Sequence, residues 1–287
     1  MTMISEFPLF LFTTLGGLAA GAYVAAAIFP DGDRKPKRPW LFPLACLALL
    51  GVGLLGVLGH LGRPERFLLA MSNPSSMIAE EAYWSIAFGV LMLVDFVLLL
   101  RRGTSPGAVR VVAAVAAVGL MCIMGWAYFT SYGNPAWATW QTLPLFVLGD
   151  LAMGAALWGL MREGSYRSGA FAAAFAMLGA LAVASIALAA AHFAGLGHNA
   201  LPFAAAVVLA VAGVAFGLLA WKGKLSGAAP RSLSPACSLA WPQPATLSMP
   251  RAFCNGSNVL EGAAPFEDAS AFSSEEKLEK ARNPHTG

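Results

Sequence analysis

Hydrophobic residues form seven long stretches along the chain, and short polar segments separate them. Each stretch holds roughly 20 residues, the length at which an α-helix crosses a ~30 Å hydrocarbon core. A helix satisfies its backbone N–H and C=O groups internally, and these runs are too continuous for the alternating strands of a membrane barrel. The pattern predicts an all-α, polytopic transmembrane helix bundle with spans at 8–29, 41–60, 82–100, 109–130, 143–161, 169–193 and 200–221.

The composition also indicates a membrane protein. Hydrophobic residues make up 58% of the 287 residues and charged residues 11%, against about 25% charged residues in soluble domains. So few charges are not enough to cover the surface of a soluble globule of this size. The first stretch follows no basic segment and has no convincing small-residue cleavage site. We therefore expect it to remain in the protein as the first helix.

Lysine and arginine are concentrated in alternate loops. They follow the first, third, fifth and seventh stretches, whereas the loops on the other side hold only Arg63 and Arg66. By the positive-inside rule this predicts an N-terminus outside the cell and a cytoplasmic location for residues beyond 221. The basic residues of the predicted cytoplasmic side are Arg34, Lys35, Lys37, Arg38, Arg101, Arg102, Arg110, Arg162, Arg167, Lys222, Lys224 and Arg231.

The stretch GHLGRPERF, residues 59–67, is the exception on the predicted outer side. Its arginines Arg63 and Arg66 are expected to contact a lipid phosphate, a carboxylate or a partner subunit, since they do not serve as topology signals there. Pairing with Glu65 is the alternative for Arg66. His60 either caps the helix end at the membrane interface or acts chemically, and its position alone leaves both interpretations open.

Other polar residues have simpler predicted roles. Glu80 and Glu81 stand at the outer mouth of the third span, and Asp95 is close enough to the cytoplasmic end to pair with Arg101 or Arg102. Asp150 is nearer mid-span, where charge is costly, so we expect it to face the bundle interior, protonated or hydrogen-bonded, as a candidate member of a proton path. The predicted packing motif is the G-x-x-x-G at 17–21. Tyr132, Trp137 and Trp140 are predicted to form an interfacial aromatic belt, and covering a ligand pocket is the alternative for these three residues.

The metal-binding residue types are sparse. The four cysteines form no C-x-x-C pair, which argues against a zinc or iron–sulfur site in this protein. A di-haem site needs histidine pairs at matched depths, but the three histidines near the membrane all lie toward one side. We therefore expect no haem and no metal. The cysteines are Cys46, Cys122, Cys237 and Cys254, and the histidines near the membrane are His60, His192 and His198.

The composition changes after the seventh stretch. Residues 223–287 are rich in serine, proline and charge, and no part of them is apolar enough to span. Such a composition predicts a cytoplasmic, disordered tail, with at most a short helix near 274–282. The protein thus divides into a membrane bundle, 1–222, and a tail, 223–287, which is either natural or the product of a shifted reading frame.

Several motifs together resemble a known family. They are Glu6-Phe7-Pro8-Leu9 before the first span, the small-residue helix that follows, the His60-Leu-Gly-Arg-Pro64 element after the second span, and an acidic residue at the start of the third. Over about residues 3–222 the protein resembles the membrane anchor subunit of anaerobic dimethyl sulfoxide (DMSO) reductase, the DmsC-like family. Members of this family usually have eight helices, so the seven spans predicted here are a departure.

The resemblance implies a function in anaerobic respiration. Such anchors hold a molybdopterin catalytic subunit and an iron–sulfur subunit on the inner (cytoplasmic) membrane, oxidise menaquinol and pass its electrons to the iron–sulfur subunit. The expected partners are these two subunits and the lipid bilayer, with no nucleic acid. The anchor itself would carry no catalytic cofactor, and menaquinol would bind as a substrate.

The resemblance also assigns roles to residues. His60 would accept the proton of a quinol hydroxyl, as an imidazole with an ordinary pKa near ~6.5 can do, and Glu81 would relay it to water. Glu80 is the alternative, because a one-residue gap in the loop would exchange the two acids. Arg63 and Arg66 would position the quinol headgroup or dock the iron–sulfur subunit. The competing hypotheses are a purely structural anchor and a polytopic transporter, although no inverted repeat of the transporter type is evident.

Overall fold

The structure is a computed structural model that describes residues 7–29, 36–60, 67–162 and 165–222. The described residues form eight α-helices and one 3₁₀ turn, at Ser165–Arg167, and contain no strand. Seven of the helices are long and apolar enough to cross a membrane, which confirms the predicted all-α bundle. The helices are α1 (Phe7–Ile28), α2 (Leu41–His60), α3 (Phe67–Met71), α4 (Met77–Arg102), α5 (Gly107–Phe129), α6 (Thr142–Met161), α7 (Gly169–Gly195) and α8 (Leu201–Trp221).

Helix α4 is longer than its apolar run. It begins at Met77, after Ser76 in an extended conformation, and so includes Glu80 in its first turn. Acidic residues are favourable there because they face the positive end of the helix dipole. The helix ends at Gly103, whose left-handed conformation (φ 69°) lets its N–H bond to the carbonyl of Leu99 at 3.0 Å, a common helix ending.

Helix α1 is the centre of the bundle and is the most buried span. It packs against α2, α5 and α6, and its closest approach is to α6. A Cβ atom added to Gly21 would lie 2.0 Å from the carbonyl oxygen of Asp150, and one added to Gly154 would lie 2.1 Å from the backbone nitrogen of Ala22. Small residues that let two backbones meet are typical of membrane helix pairs. The packing role predicted for the motif at 17–21 is therefore confirmed.

Contacts near the helix ends show that successive spans alternate in direction. The end of α1 meets the start of α7, where the rings of Phe29 and Phe171 are 5.1 Å apart. The guanidinium of Arg162, just after α6, lies 5.9 Å from the ring of Phe42 at the start of α2. We call the end of the bundle at which α1 and α6 finish the basic end. We call the opposite end, at which α2 finishes and α4 starts, the His60 end.

Outward-facing side chains on the spans are apolar. Leu55 on α2, Val115 on α5 and Val208 on α8 are 69%, 64% and 68% exposed. In a bilayer these side chains meet lipid tails, which are as apolar as they are, so their exposure needs no protein partner.

Residues 223–287 lie outside the described residues. The predicted disordered cytoplasmic tail, and the boundary at 222 that separates it from the bundle, therefore stay predictions. The orientation of the N-terminus likewise stays a prediction from the positive-inside rule.

Candidate functional site at the His60 end

The structure places part of the predicted site at one end of the bundle. Helix α2 ends at His60, whose backbone is described but whose side chain is not, and Arg63 and Arg66 lie outside the described residues. Glu80 and Glu81 lie near the start of α4, the next span, so they belong to the same end of the bundle. The roles proposed for these five residues stay predictions.

The two acids lie on different faces of α4. Glu81 continues a stripe of buried side chains that runs down the interior face of the helix at spacings of three and four residues. Glu80 instead precedes Tyr83, Trp84 and Ala87, all of them exposed. The helical period thus points Glu81 toward the bundle and Glu80 toward its surroundings. The buried stripe below Glu81 consists of Ser85, Phe88, Met92, Asp95 and Leu99.

The connection between α3 and α4 is held by its own hydrogen bonds. The hydroxyl of Tyr83 on α4 donates to the carbonyl of Met71, the last residue of α3. Ser72 Oγ donates to the carbonyl of Leu69 at 2.6 Å. The side chain of Asn73 accepts from the backbone N–H of Ser75 at 3.3 Å. The spacing of the hydrophobic stretches predicts only a loop between residues 60 and 82, whereas the structure contains the short helix α3.

The loop between α5 and α6 also lies at the His60 end. Trp137 is only 3% exposed, and its ring centroid lies 5.4 Å from that of Tyr128 and 5.0 Å from that of Phe193. The prediction that Trp137 belongs to an interfacial belt is therefore wrong, since this residue is part of the core. Tyr132 and Trp140 are 79% and 63% exposed, as a belt requires.

The loop is also tied to helix α7. His192 Nε2 lies 3.3 Å from the carbonyl oxygen of Pro135. The contact connects the last turn of α7 to the segment that seats Trp137, and it gives His192 a structural role at this end of the bundle.

Among the described residues, no three His, Cys, Asp or Glu side chains are grouped so that they could hold a metal ion.

Asp95 has different partners from those expected. Its carboxylate accepts a hydrogen bond from the hydroxyl of Tyr23 at 3.1 Å, and Arg110 Nε lies 3.9 Å from the other carboxylate oxygen. The predicted pairing with Arg101 or Arg102 is wrong. Arg102 is two helical turns, about 10 Å, further along the same helix, whereas Arg110 comes from the adjoining helix α5. The resulting network joins α1, α4 and α5 near the basic end.

Asp150 is fully buried and faces the bundle interior, as predicted. Its carboxyl group packs against Gly17 of α1, where a Cβ atom would lie 2.2 Å from Oδ1. Neither carboxylate oxygen has a hydrogen-bond partner among the described residues. A place in a proton path stays a prediction.

Arg162 has a structural role that the charge pattern alone did not reveal. The charge pattern predicts only a cytoplasmic charge at this position, yet Arg162 is 4% exposed, and its guanidinium lies 4.5 Å from the ring centroid of Trp158. Such cation–π stacking stabilises a buried guanidinium. The signal available in the sequence was its position four residues after Trp158, one helical turn.

The bundle has seven apolar spans, with acidic residues beside a helix end at one side and basic residues at the other. These features define a polytopic α-helical membrane protein. Residues 1–219 match the family described as DMSO reductase anchor subunit (DmsC), and the protein belongs to this family.

Two relatives illustrate the similarity. The protein is 29% identical over 167 residues to the C subunit of the anaerobic dimethyl sulfoxide reductase of Haemophilus influenzae, an alignment that covers 54% of this protein and 60% of the relative. It is 27% identical over 168 residues to the C subunit of the same name from Escherichia coli, with 54% and 57% covered. The alignments thus span less than two thirds of the length of these relatives.

Proposed function

We propose that this protein anchors a DMSO reductase-type complex in the inner membrane and oxidises menaquinol at the His60 end. Electrons would pass to an iron–sulfur subunit and from it to a molybdopterin catalytic subunit. Family membership supports the anchor role. The observation that carries the quinol site is the arrangement of α2 and α4. Helix α2 ends at His60 on the same end of the bundle at which α4 begins, and Glu81 continues the interior stripe of α4.

The chemistry of quinol oxidation suits these residue types. Conversion of a quinol to a quinone removes two electrons and two protons. The electrons leave for the iron–sulfur subunit, while each proton needs an acceptor at a ring hydroxyl. A neutral imidazole at His60 is such an acceptor, and a carboxylate at Glu81 passes the proton to water at the membrane surface. The two residues would act in sequence, as base and as proton relay.

Helix α2 offers space for a flat ring. A Cβ atom added to Gly59, or to Gly51 two turns earlier, would meet no atom of the described residues within 4 Å. Gly53 faces α1 instead, where an added Cβ atom would lie 3.0 Å from Phe12 Cα. Part of α2 therefore packs on the bundle while its open glycines leave an apolar surface beside the helix end. In this proposal Arg63 and Arg66 position the quinol headgroup or dock the partner.

The charge distribution supports an outward-facing quinol site. The described lysines and arginines lie toward the basic end, among them Lys37, Arg101, Arg102 and Lys222. The positive-inside rule assigns that end to the cytoplasm and the His60 end to the outer face. Protons from quinol would then be released outside the inner membrane.

The two neighbouring acids provide the test. We expect Glu81→Gln to lower quinol-dependent turnover by at least about tenfold, because an amide cannot carry the proton away, and Glu80→Gln to change it less than about twofold. The measurement is quinol-dependent reductase activity per assembled complex, with the soluble subunits co-expressed. A loss confined to Glu80→Gln would transfer the relay to that residue. Full activity in both variants would leave a purely structural anchor as the better account.

A further inference from the structure

Tyr83 makes the one described side-chain bond between α3 and α4. Its ring is 40% exposed, but its hydroxyl donates to the carbonyl of Met71 at the end of α3. The last carbonyls of a helix have no partner within the helix, so this bond satisfies one of them. Tyr83 lies two residues after Glu81, and the bond therefore joins α3 to the turn of α4 that carries the predicted proton relay.

The rest of the connection is short and internally bonded. The backbone N–H of Ser72 bonds to the carbonyl of Leu69 at 3.1 Å, and that of Ser76 to the carbonyl of Asn73 at 3.1 Å. The backbone N–H of Glu80 bonds in turn to the carbonyl of Ser76 at 3.0 Å. These bonds hold the turns of the connection, and the bond from Tyr83 adds a direct tie between α3 and α4.

A second contact fixes the other side of the same helical turn. The indole ring of Trp84 packs over Gly119 of α5, so closely that a Cβ atom at residue 119 would lie 2.2 Å from the ring. Trp84 thus fixes α4 to α5, and Tyr83 fixes α3 to α4. The start of α4 is therefore held by contacts with both α3 and α5, the helices that precede and follow it in the sequence.

We propose that Tyr83 is a positioning residue for quinol binding, which holds α3 against α4 and so fixes the first turns of α4, where Glu81 lies. The inference rests on the proposed function and adds to it a residue that does not touch the quinol. The bond is needed because α3 has five residues, and a helix that short is not stable by itself.

The expected effect is on binding rather than on chemistry. Without the bond, only a fraction of the molecules has the arrangement that binds quinol at any moment. The apparent affinity for quinol falls in proportion to that fraction. We expect Tyr83→Phe to raise the KM for a soluble menaquinol analogue roughly three- to tenfold, the worth of one hydrogen bond, with kcat changed less than about twofold. A residue that only aids folding would reduce the amount of complex without altering the KM of what remains.

Tyr132→Phe is the matched control. It removes the same hydroxyl at the same end of the bundle, from a tyrosine that is 79% exposed, and its KM should equal that of the unmodified complex. A kcat loss in Tyr83→Phe without a KM change would overturn the inference, since it would indicate direct contact with the reaction. So would an unchanged KM in Tyr83→Phe.

A distance measurement tests the same bond without quinol. Spin labels at Leu69 of α3 and Ile86 of α4, both exposed, should give a broader distance distribution in Tyr83→Phe than in Tyr132→Phe. Equal distributions would overturn the inference. If KM is unchanged while His60→Asn is inactive, the inference fails and the proposed function stands. If His60→Asn keeps full turnover, the proposed function fails and the inference fails with it.

Discussion

Replacing His60 with asparagine is expected to lower menaquinol-dependent turnover by roughly a hundredfold or more, while the complex still assembles on the membrane. General-base catalysis typically contributes a factor of about 10²–10⁴, and an asparagine amide keeps a hydrogen-bonding group of similar size but accepts no proton. The measurement is quinol oxidation by membranes that contain the anchor and its soluble subunits, normalised to the amount of assembled complex.

His198→Asn is the control for this variant. His198 lies at the same end of the bundle, between α7 and α8, and is exposed, so its replacement should leave turnover unchanged. If both variants retained full turnover, His60 would be a helix end and no more. If both lost it together with assembly, the histidines would serve the docking of the partner rather than the chemistry.

Replacing Gly21 with alanine is expected to destabilise the bundle by more than about 3 kcal/mol, beyond the usual 1–3 kcal/mol for overpacking. The added Cβ atom would lie 2.0 Å from the carbonyl oxygen of Asp150, and the nearest atoms belong to backbone that has no rotamer to change. Helices α1 and α6 would have to separate along their crossing. Thermal unfolding of the purified protein in detergent measures the effect as a fall in the unfolding midpoint.

Gly51→Ala is the control, because an added Cβ atom there meets no atom of the described residues within 4 Å. It makes the same chemical change in another span, and alanine is intrinsically the better helix former by about 0.8–1 kcal/mol. The control should therefore be neutral or slightly stabilising. Equal midpoints for Gly21→Ala and Gly51→Ala would contradict the close crossing of α1 and α6.

The hydrophobic runs were enough to predict every span, because lipid leaves a helix little choice of composition. They were less informative about where a helix begins when its first turn is polar. The predicted third span started at residue 82, whereas α4 starts at Met77. Helix α3 was missed for a related reason: five residues between two polar segments give no periodic signal.

Tertiary contacts account for the wrong predictions. Asp95 was assigned to arginines near in sequence, but its partners are Tyr23 and Arg110, brought by two other helices. Trp137 was assigned to the interface by its residue type, but the fold of its loop turns it into the core. Neither outcome is readable from one segment alone, because each depends on which helix lies alongside.

The choice between Glu80 and Glu81 is a different case, since it depends on which face of α4 is buried in the structure. Helical spacing from residue 81 runs through Ser85 and Phe88, both buried, while spacing from residue 80 runs through Trp84 and Ala87, both exposed. Helical period identifies the acid that faces the bundle once the buried face of α4 is known.

The most direct test of the quinol site is the binding of a fluorescent menaquinol analogue to membranes that hold the anchor with its soluble subunits. Quenching of the fluorescence reports binding, and the comparison is between the unmodified protein and His60→Asn. We predict saturable quenching with the unmodified protein and its loss in the variant, which would place the quinol beside the end of α2. Equal quenching in both, or none in either, would contradict a quinol site at His60.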